Sequence, residues 1–109
     1  RLQNNKKEQF MQEKTVGKSD NKIIITVSGV DRIGIVAKVA NVLAEYKVNI
    51  EDIKQTIMQD YFVMFLLGDI SKADKSFKEI KEALQKAGEE LQMEIWVQKK
   101  QIFDKMHTI

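Results

Sequence analysis

The stretch from Val27 to Ile53 constrains the fold of this chain more than any other part of its sequence. It reads VSGVDRIGIVAKVANVLAEYKVNIEDI, which is the end of an apolar strand, a glycine-containing loop, an amphipathic segment and a second strand. Apolar residues recur at three- and four-residue spacing in the amphipathic segment, which predicts a helix from about Gly34 to Tyr46. The predicted buried face of this helix consists of Ile33, Val36, Ala37, Ala40, Leu43 and Ala44.

The loop before this helix has the residue types of a binding site. Asp31, Arg32 and Gly34 lie where the helix is predicted to begin. A helix N-terminus carries unpaired backbone N–H groups and partial positive charge, so a small carboxylate or another anion can be held there. Glycine at position 34 lacks the Cβ that would keep a ligand or a neighbouring chain away from those groups. The loop therefore predicts ligand binding, and it shows no sign of a nucleophile.

Further elements complete an alternating α and β pattern. The remaining predicted elements are a first strand from Ile23 to Val27, an irregular second strand from Lys47 to Met58, a third strand from Tyr61 to Leu67, a helix carrying Phe77, Ile80, Leu84 and Leu91, and a last strand from Met93 to Gln98. Ser71 or Asp74 is the predicted cap of the second helix, and Gly88 is placed near its end. The order βαββαβ predicts an α+β, ferredoxin-like sandwich, with Ile102 to Met106 as a short C-terminal helical turn.

The third strand also predicts association. Residues Tyr61 to Leu67 are apolar on both faces of the strand, and such a strand is usually covered on both sides. One helix layer covers one face, so the other face is expected to meet a second subunit or the C-terminal turn. Trp96 and Ile24 are predicted to contribute to this second surface. We therefore expect a homodimer, because an exposed apolar patch of this kind in a monomer promotes aggregation.

Composition excludes several classes of protein. A chain of 109 residues with 43% hydrophobic residues fits one modest core, and the absence of cysteine excludes disulfides and thiolate metal sites. A net charge of +2 does not indicate a nucleic-acid surface. No apolar run approaches the roughly 18 residues of a membrane span, so a cytoplasmic location is expected. Residues 1–21 are polar and predict a flexible N-terminal tail or an added remnant, with one domain over residues 22–109.

Several separated blocks of sequence resemble one family. The run G-V-D-R-I-G-I, the helix ending V-L-A-E and the following N-I resemble an ACT domain, a small regulatory module that senses amino acids. The segments DIKQTIMQDYFVMFLLGDIS and EIWVQKKQIFDKMHTI are similar to the stand-alone ACT proteins of the UPF0237 family, which are similar to the glycine-cleavage-system repressor. The resemblance covers about residues 22–109. It implies a non-catalytic regulatory module that binds a small ligand, an amino acid in this family, and modulates a partner protein that the sequence does not identify.

The resemblance also implies where such a ligand binds. In ACT domains the effector lies between the first loop of one subunit and the start of the second strand of its neighbour. The positions of this sequence that match are Asp31, Arg32, Gly34 and Ile35 on one side, and Asn49, Ile50 and Asp52 on the other. A glycine or one-carbon ligand is suggested only by the analogy with the glycine-cleavage repressor.

Simpler roles compete for four of these residues. Asp31 precedes the helix, where capping is the favoured role of an acid. Arg32 is suited to grip a carboxylate with two hydrogen bonds, yet a solvated surface arginine is equally compatible with the sequence. Gly34 would also allow the helix to pack tightly on the sheet, and Asn49 would suit a turn.

The sequence does not support catalysis. His107 is the only histidine, and it has no serine or cysteine partner and no second ligand for a metal, so no catalytic residue, metal or cofactor is expected. One alternative function is a ligand-independent protein–protein adaptor. A second alternative, an RNA- or DNA-binding ferredoxin-like module, is disfavoured because Tyr61 to Leu67 contains no lysine or arginine. An acylphosphatase is rejected because the loop around Arg32 does not match the spacing of its phosphate loop.

Overall fold

The structure is a computed structural model that describes residues 21–106. Four strands and three helices follow one another as β1 Lys22–Val30, α1 Ile35–Glu45, β2 Asn49–Met58, β3 Tyr61–Asp69, α2 Phe77–Leu91, β4 Glu94–Lys99 and α3 Lys100–Met106. The strands form one antiparallel sheet in the order β2-β3-β1-β4. The predicted ferredoxin-like order and the short C-terminal helix are confirmed.

The core lies between one face of the sheet and the helices α1 and α2. Alternate residues of the two central strands point to this face and are fully or almost fully buried, as the period of two in a strand requires. The helices fill the other side of the core with branched residues at helical spacing. The largest fully buried side chains are Ile23, Ile25, Val27, Ile35, Val39, Leu43, Met64, Leu66, Ile80 and Leu84.

The buried face of α1 differs from the predicted one. Ile35, Val39 and Leu43 are buried, whereas Val36 is exposed and the side chain of Ile33 is 101% exposed. Both stripes have helical spacing, so periodicity alone does not distinguish them. The larger, branched stripe packs on the sheet because it removes more apolar area from water. Leu43 of the predicted stripe is buried as expected and Ala40 is half-buried, whereas Ile33, Val36, Ala37 and Ala44 are exposed.

The start of α2 also differs from the prediction. Ser76 is the N-cap, and neither Ser71 nor Asp74 has this role. The Ser76 hydroxyl accepts a hydrogen bond from Glu79 N–H at 3.2 Å, and the Glu79 carboxylate accepts one from Ser76 N–H at 2.9 Å. These two reciprocal bonds form a capping box. Gly88 lies inside the helix and is buried, three residues before the helix ends at Leu91.

The second face of the sheet is open, as predicted. Cross-strand pairing places Thr26 between Phe65 of β3 and Trp96 of β4 on this face. Phe65 is 46% exposed and Trp96 is 61% exposed. None of the described residues therefore covers the centre of this apolar surface. Helix α3 contacts β1 and β4 next to it.

The β2–β3 turn at Gln59-Asp60 is confirmed without glycine. Gln59 takes a positive φ of 56°, and Asp60 does not.

A candidate ligand site and interface at the edge of the sheet

The loop between β1 and α1 leaves the helix N-terminus open. Gly34 is the N-cap with φ 89° and ψ 5°, and no side chain within residues 21–106 caps the helix. The N–H of Lys38 is the first that bonds in the helix pattern, to Gly34 C=O at 2.9 Å. The N–H groups of Ile35, Val36 and Ala37 consequently have no partner in the described part of the chain. These three donors are available to a ligand.

The simpler roles for Asp31 and Gly34 do not hold. Asp31 does not cap α1; its backbone N–H bonds to Asp60 C=O at 2.8 Å, and this contact joins the loop to the β2–β3 turn. A Cβ on Gly34 would meet no atom within 4 Å, so this glycine is not required for packing of the helix. The left-handed backbone requires it instead, and the open space beside it admits a ligand or a second chain.

Arg32 is held by the end of the second helix. Its Nη2 donates a hydrogen bond to Gln92 Oε1 at 2.7 Å. Gln92 is the C-cap of α2 and has a left-handed backbone, with φ 59°. The contact fixes the guanidinium over the C-terminus of α2, where the helix dipole favours a cation. The sequence did not predict this contact, since the two residues are 60 positions apart.

The two halves of the predicted site lie at opposite ends of the sheet. Asp31, Arg32, Gly34 and Ile35 lie at or next to the end formed by the β1–α1 loop and the β2–β3 turn, which we call the loop end. Asn49 pairs with Asp69 at the other end, and Ile50 and Asp52 follow it along β2. β1 has nine residues, so about 30 Å separate the two ends. One chain therefore does not bring the two halves together, which is consistent with the predicted contribution of a neighbouring subunit.

Strand β2 is exposed along its whole length. It is an edge strand, and all ten of its residues are exposed, including three isoleucines on the helix side of the sheet. Lys38 of α1 forms an ion pair with Glu90 of α2, so the opposite side of α1 faces away from α2 and toward the β2 edge. We call the resulting apolar surface the β2 edge surface; it consists of Val36, Ala40, Ile50, Ile53 and Ile57.

A cluster of three charged residues fixes the end of the sheet opposite the loop. Lys22 Nζ bonds to the carboxylates of Glu51 and Asp69, the latter at 3.1 Å. Glu51 lies at the irregularity between Ile50 and Asp52, so the cluster joins the starts of β1 and β2 to the end of β3. The Lys22 ammonium has a raised pKa because of its hydrogen bond to Glu51. The sequence did not predict this cluster, because its three residues are far apart in the chain.

The cluster predicts a specific loss of stability in acid. Partial burial raises the pKa of Asp69, but hydrogen bonds from Ser71 and Lys22 outweigh this effect and lower the pKa from 3.8 to about 2. A lowered pKa in the folded state stabilises the protein above pH 4, and this contribution is lost as the pH falls from about 4 to 2. We expect Asp69→Asn to reduce the free energy of unfolding by about 1–2 kcal/mol at pH 7, after allowance for solvent screening.

Urea unfolding at a series of pH values measures this contribution. The difference between the wild type and Asp69→Asn should shrink to near zero at pH 2. Asp60→Asn, in the exposed β2–β3 turn, is the control for a general loss of negative charge. A difference for Asp69→Asn that stays constant from pH 7 to pH 2 would contradict the assignment, because it would then reflect packing and not ionisation.

Residues 21–106 contain neither a metal-binding cluster nor a membrane-spanning helix. No group of three or more histidine, cysteine, aspartate or glutamate side chains is arranged to hold a metal ion there. None of the helices in this part of the chain is long and apolar enough to span a membrane. His107 lies outside the described residues.

Comparison with known proteins decides the family. The ACT domain model matches residues 21–98. The chain belongs to the ACT domain family. It is 48% identical over 88 residues to a UPF0237 protein of Methanopyrus kandleri, covering 81% of this chain and 98% of that protein. The predicted ACT and UPF0237 membership is therefore confirmed.

Solved structures of ACT proteins show the same fold. An ACT domain protein from Streptococcus pneumoniae superimposes with a TM-score of 0.67 at 38% identity, covering 75% of this chain and 92% of that one. The regulatory subunit of aspartate kinase from Thermus thermophilus, in a ligand-free form, superimposes with a TM-score of 0.58 at 25% identity. That match covers 72% of this chain and 51% of the aspartate kinase subunit.

Proposed function

We propose that this ACT protein is a non-catalytic regulatory dimer that binds an amino acid between its two copies and modulates a partner protein. The observation that carries the proposal is the open N-terminus of α1. Three backbone N–H groups without partners lie beside a glycine whose missing Cβ faces open space. Such donors suit the carboxylate of an amino acid. Membership of the ACT family, one solved relative of which is a regulatory subunit, supports a regulatory role.

The β2 edge surface supports association of two copies. An exposed edge strand presents unpaired N–H and C=O groups, and here it carries apolar side chains beside an apolar stripe of α1. Two copies related by a two-fold axis perpendicular to the strands would pair their β2 strands antiparallel. The loop end of each copy would then lie beside Asn49 and Asp52 of its neighbour. This arrangement assembles both halves of the predicted site, twice in each dimer.

Regulation by this dimer requires a difference in affinity. A ligand shifts an equilibrium only when it binds one state more tightly than the other. A ligand that contacts α1 of one copy and β2 of the other favours the associated state, because both contacts exist only there. We propose that the regulated protein binds the dimer that the ligand stabilises. A ligand-independent adaptor is the second candidate, and the exposed Trp96 and Phe65 on the open face of the sheet favour it.

Substitution of Gly34 tests the ligand site. We expect Gly34→Asn to keep the left-handed backbone, which asparagine tolerates, while its side chain occupies the space in front of the α1 N–H groups. An effector at about one hundred times its dissociation constant should add roughly 2.7 kcal/mol to the stability of the wild type. The variant should show little or none of this gain. Thermal unfolding with a panel of amino acids measures it, and light scattering on the same samples follows the dimer.

The same panel of amino acids distinguishes the ligand-binding dimer from the ligand-independent adaptor. Gln59→Asn is the matched control, since it places asparagine at another left-handed position of the loop end without adding a side chain at the first residues of α1. A wild-type thermal shift that survives in Gly34→Asn would remove the loop from the ligand site. A stable dimer that responds to no amino acid would favour the adaptor.

A further inference from the structure

A polar cleft lies at the corner of the molecule where α1 ends, β2 begins and β3 ends. Its volume is about 590 Å³. It adjoins the start of the β2 edge. Asn49, a residue of the predicted ligand site, lies in its wall. The polar side chains that line it are Lys47, Asn49, Asp69, Ser71 and Lys72.

The free hydrogen-bonding groups of this corner cleft are mainly donors. Both oxygens of Asp69 are occupied: Oδ1 accepts from Ser71 N–H at 2.8 Å, and Oδ2 accepts from Lys22 at 3.1 Å. Lys72 has no carboxylate partner among residues 21–106. Lys47 has only a long contact to Asp74, at 3.6 Å, and both of these side chains are more than half exposed. Two ammonium groups are thus available to an incoming anion.

The backbone of Lys47 gives a second, independent indication. Helix α1 ends in a Schellman motif, in which Lys47 N–H bonds to Ala44 C=O and Val48 N–H bonds to Leu43 C=O. The residue at the position of Lys47 has a left-handed backbone, with φ 59°, and glycine is the usual residue there. A lysine at this position strains the backbone. A strained residue that supplies a charge to a cleft points to a function of that charge.

We propose that the corner cleft binds the second anionic group of the effector, with Lys47 and Lys72 as its cationic contacts. The effector class is then an amino acid whose side chain carries a carboxylate or a phosphate. This proposal rests on the proposed function: the neighbour's α1 N-terminus holds the main-chain carboxylate beside Asn49, and the adjoining cleft holds the side chain. Both anionic groups lie on one continuous surface of the dimer.

The effector class is tested by isothermal titration calorimetry on the full chain at constant ionic strength. The ligands are glycine and serine as neutral amino acids, aspartate and glutamate as dicarboxylates, and O-phosphoserine as the phosphorylated form. We expect aspartate, glutamate or O-phosphoserine to bind at least tenfold more tightly than glycine and serine, as for a charge-assisted contact of about 1.5 kcal/mol. Comparison of the dicarboxylates with O-phosphoserine decides between carboxylate and phosphate.

Two variants test the contacts. Lys72→Ala should weaken binding of the anionic amino acid roughly tenfold. Lys47→Gly should weaken it by a similar factor, while its thermal unfolding temperature without ligand should rise by a few degrees, because glycine relieves the left-handed strain. This rise shows that the loss of binding does not come from loss of the fold. Lys86→Ala, on the exposed side of α2, is the control and should leave binding within twofold.

The possible outcomes separate the cleft from the proposed function. If neutral amino acids bind as tightly as anionic ones, and both lysine variants bind normally, the cleft proposal is overturned while the ligand-binding dimer stands. If no amino acid binds the wild type, both proposals fail. If the anionic ligands bind and this binding is lost in Lys72→Ala and Lys47→Gly but not in Lys86→Ala, the cleft is the effector's side-chain site.

Discussion

Replacement of Ile53 by aspartate is expected to convert the proposed dimer into a monomer. Ile53 lies at the middle of the β2 edge surface, 40% exposed in the single chain. Pairing of two β2 strands would bury it in both copies, so the substitution removes two apolar contacts and introduces two buried carboxylates without partners. We expect a loss of about 4 kcal/mol per dimer, or roughly a thousandfold in the dissociation constant. Analytical ultracentrifugation over a range of protein concentrations measures it.

A matched substitution on the open sheet face decides between two possible interfaces. The sequence predicted that the open face, with Trp96, would meet a second subunit or the C-terminal turn, whereas the structure shows an uncovered β2 edge surface as well. Trp96→Asp places the same charge on the open face, where Trp96 is 61% exposed. We expect this variant to remain a dimer. A monomeric Trp96→Asp together with a dimeric Ile53→Asp would reverse the assignment and place the interface on the open face.

Gly88→Ala is expected to be the most destabilising of the conservative substitutions in α2. Alanine normally stabilises the interior of a helix relative to glycine by about 1 kcal/mol. Here the added Cβ would lie 2.9 Å from Met93 C=O and 3.0 Å from Ile95 Cγ1, in a helix that packs on β4. The contact with backbone cannot be relieved by a side-chain rotation, so the helix and strand must separate. We expect a net loss of about 2 kcal/mol, or roughly 10 °C in thermal unfolding temperature.

The control for this prediction is an exposed position of the same helix. Gln85→Ala should change the free energy of unfolding by less than about 0.5 kcal/mol. Far-ultraviolet circular dichroism during thermal unfolding measures both variants. If Gly88→Ala proved as stable as the wild type, the close approach of α2 to Met93 would be wrong. The sequence had placed Gly88 near a helix end, where the same substitution would act through the backbone conformation instead.

The fold was predictable because its elements are marked by local periodicity. Strands of period two and helices of period 3.6 gave the element order, and the inward-facing apolar residues of the strands gave a sheet with a helix layer on one side. The irregularity in β2 and the two-residue turn at Gln59-Asp60 were also predicted and are confirmed. The face of α1 that packs on the sheet was not predicted correctly, because Ile35 and Val36 begin two apolar stripes with the same spacing.

The candidate site was predictable only in part, because its geometry depends on distant residues. Asp31, Gly34 and Asn49 were predicted from local signals, namely a loop before a helix and the ACT motif, and their role in binding stays a prediction. The contact of Arg32 with Gln92 and the pairing of Lys22 with Asp69 join residues that no local pattern relates. The left-handed backbone of Lys47 was equally hidden, since a lysine at a helix end usually serves the helix dipole. Which residues of a second copy complete the site stays a prediction.

The irregular start of β2 has a consequence for polymerisation. Asp52 Oδ1 accepts a hydrogen bond from Ile53 N–H at 2.8 Å, and Glu51 interrupts the register at the same place. The interruption from Glu51 to Ile53 makes the positions along this edge strand inequivalent for an incoming strand. Such an edge favours one pairing register, and a symmetric pair of strands in that register closes on itself. A uniformly available edge would instead tolerate slipped registers, which lead to open-ended fibrils.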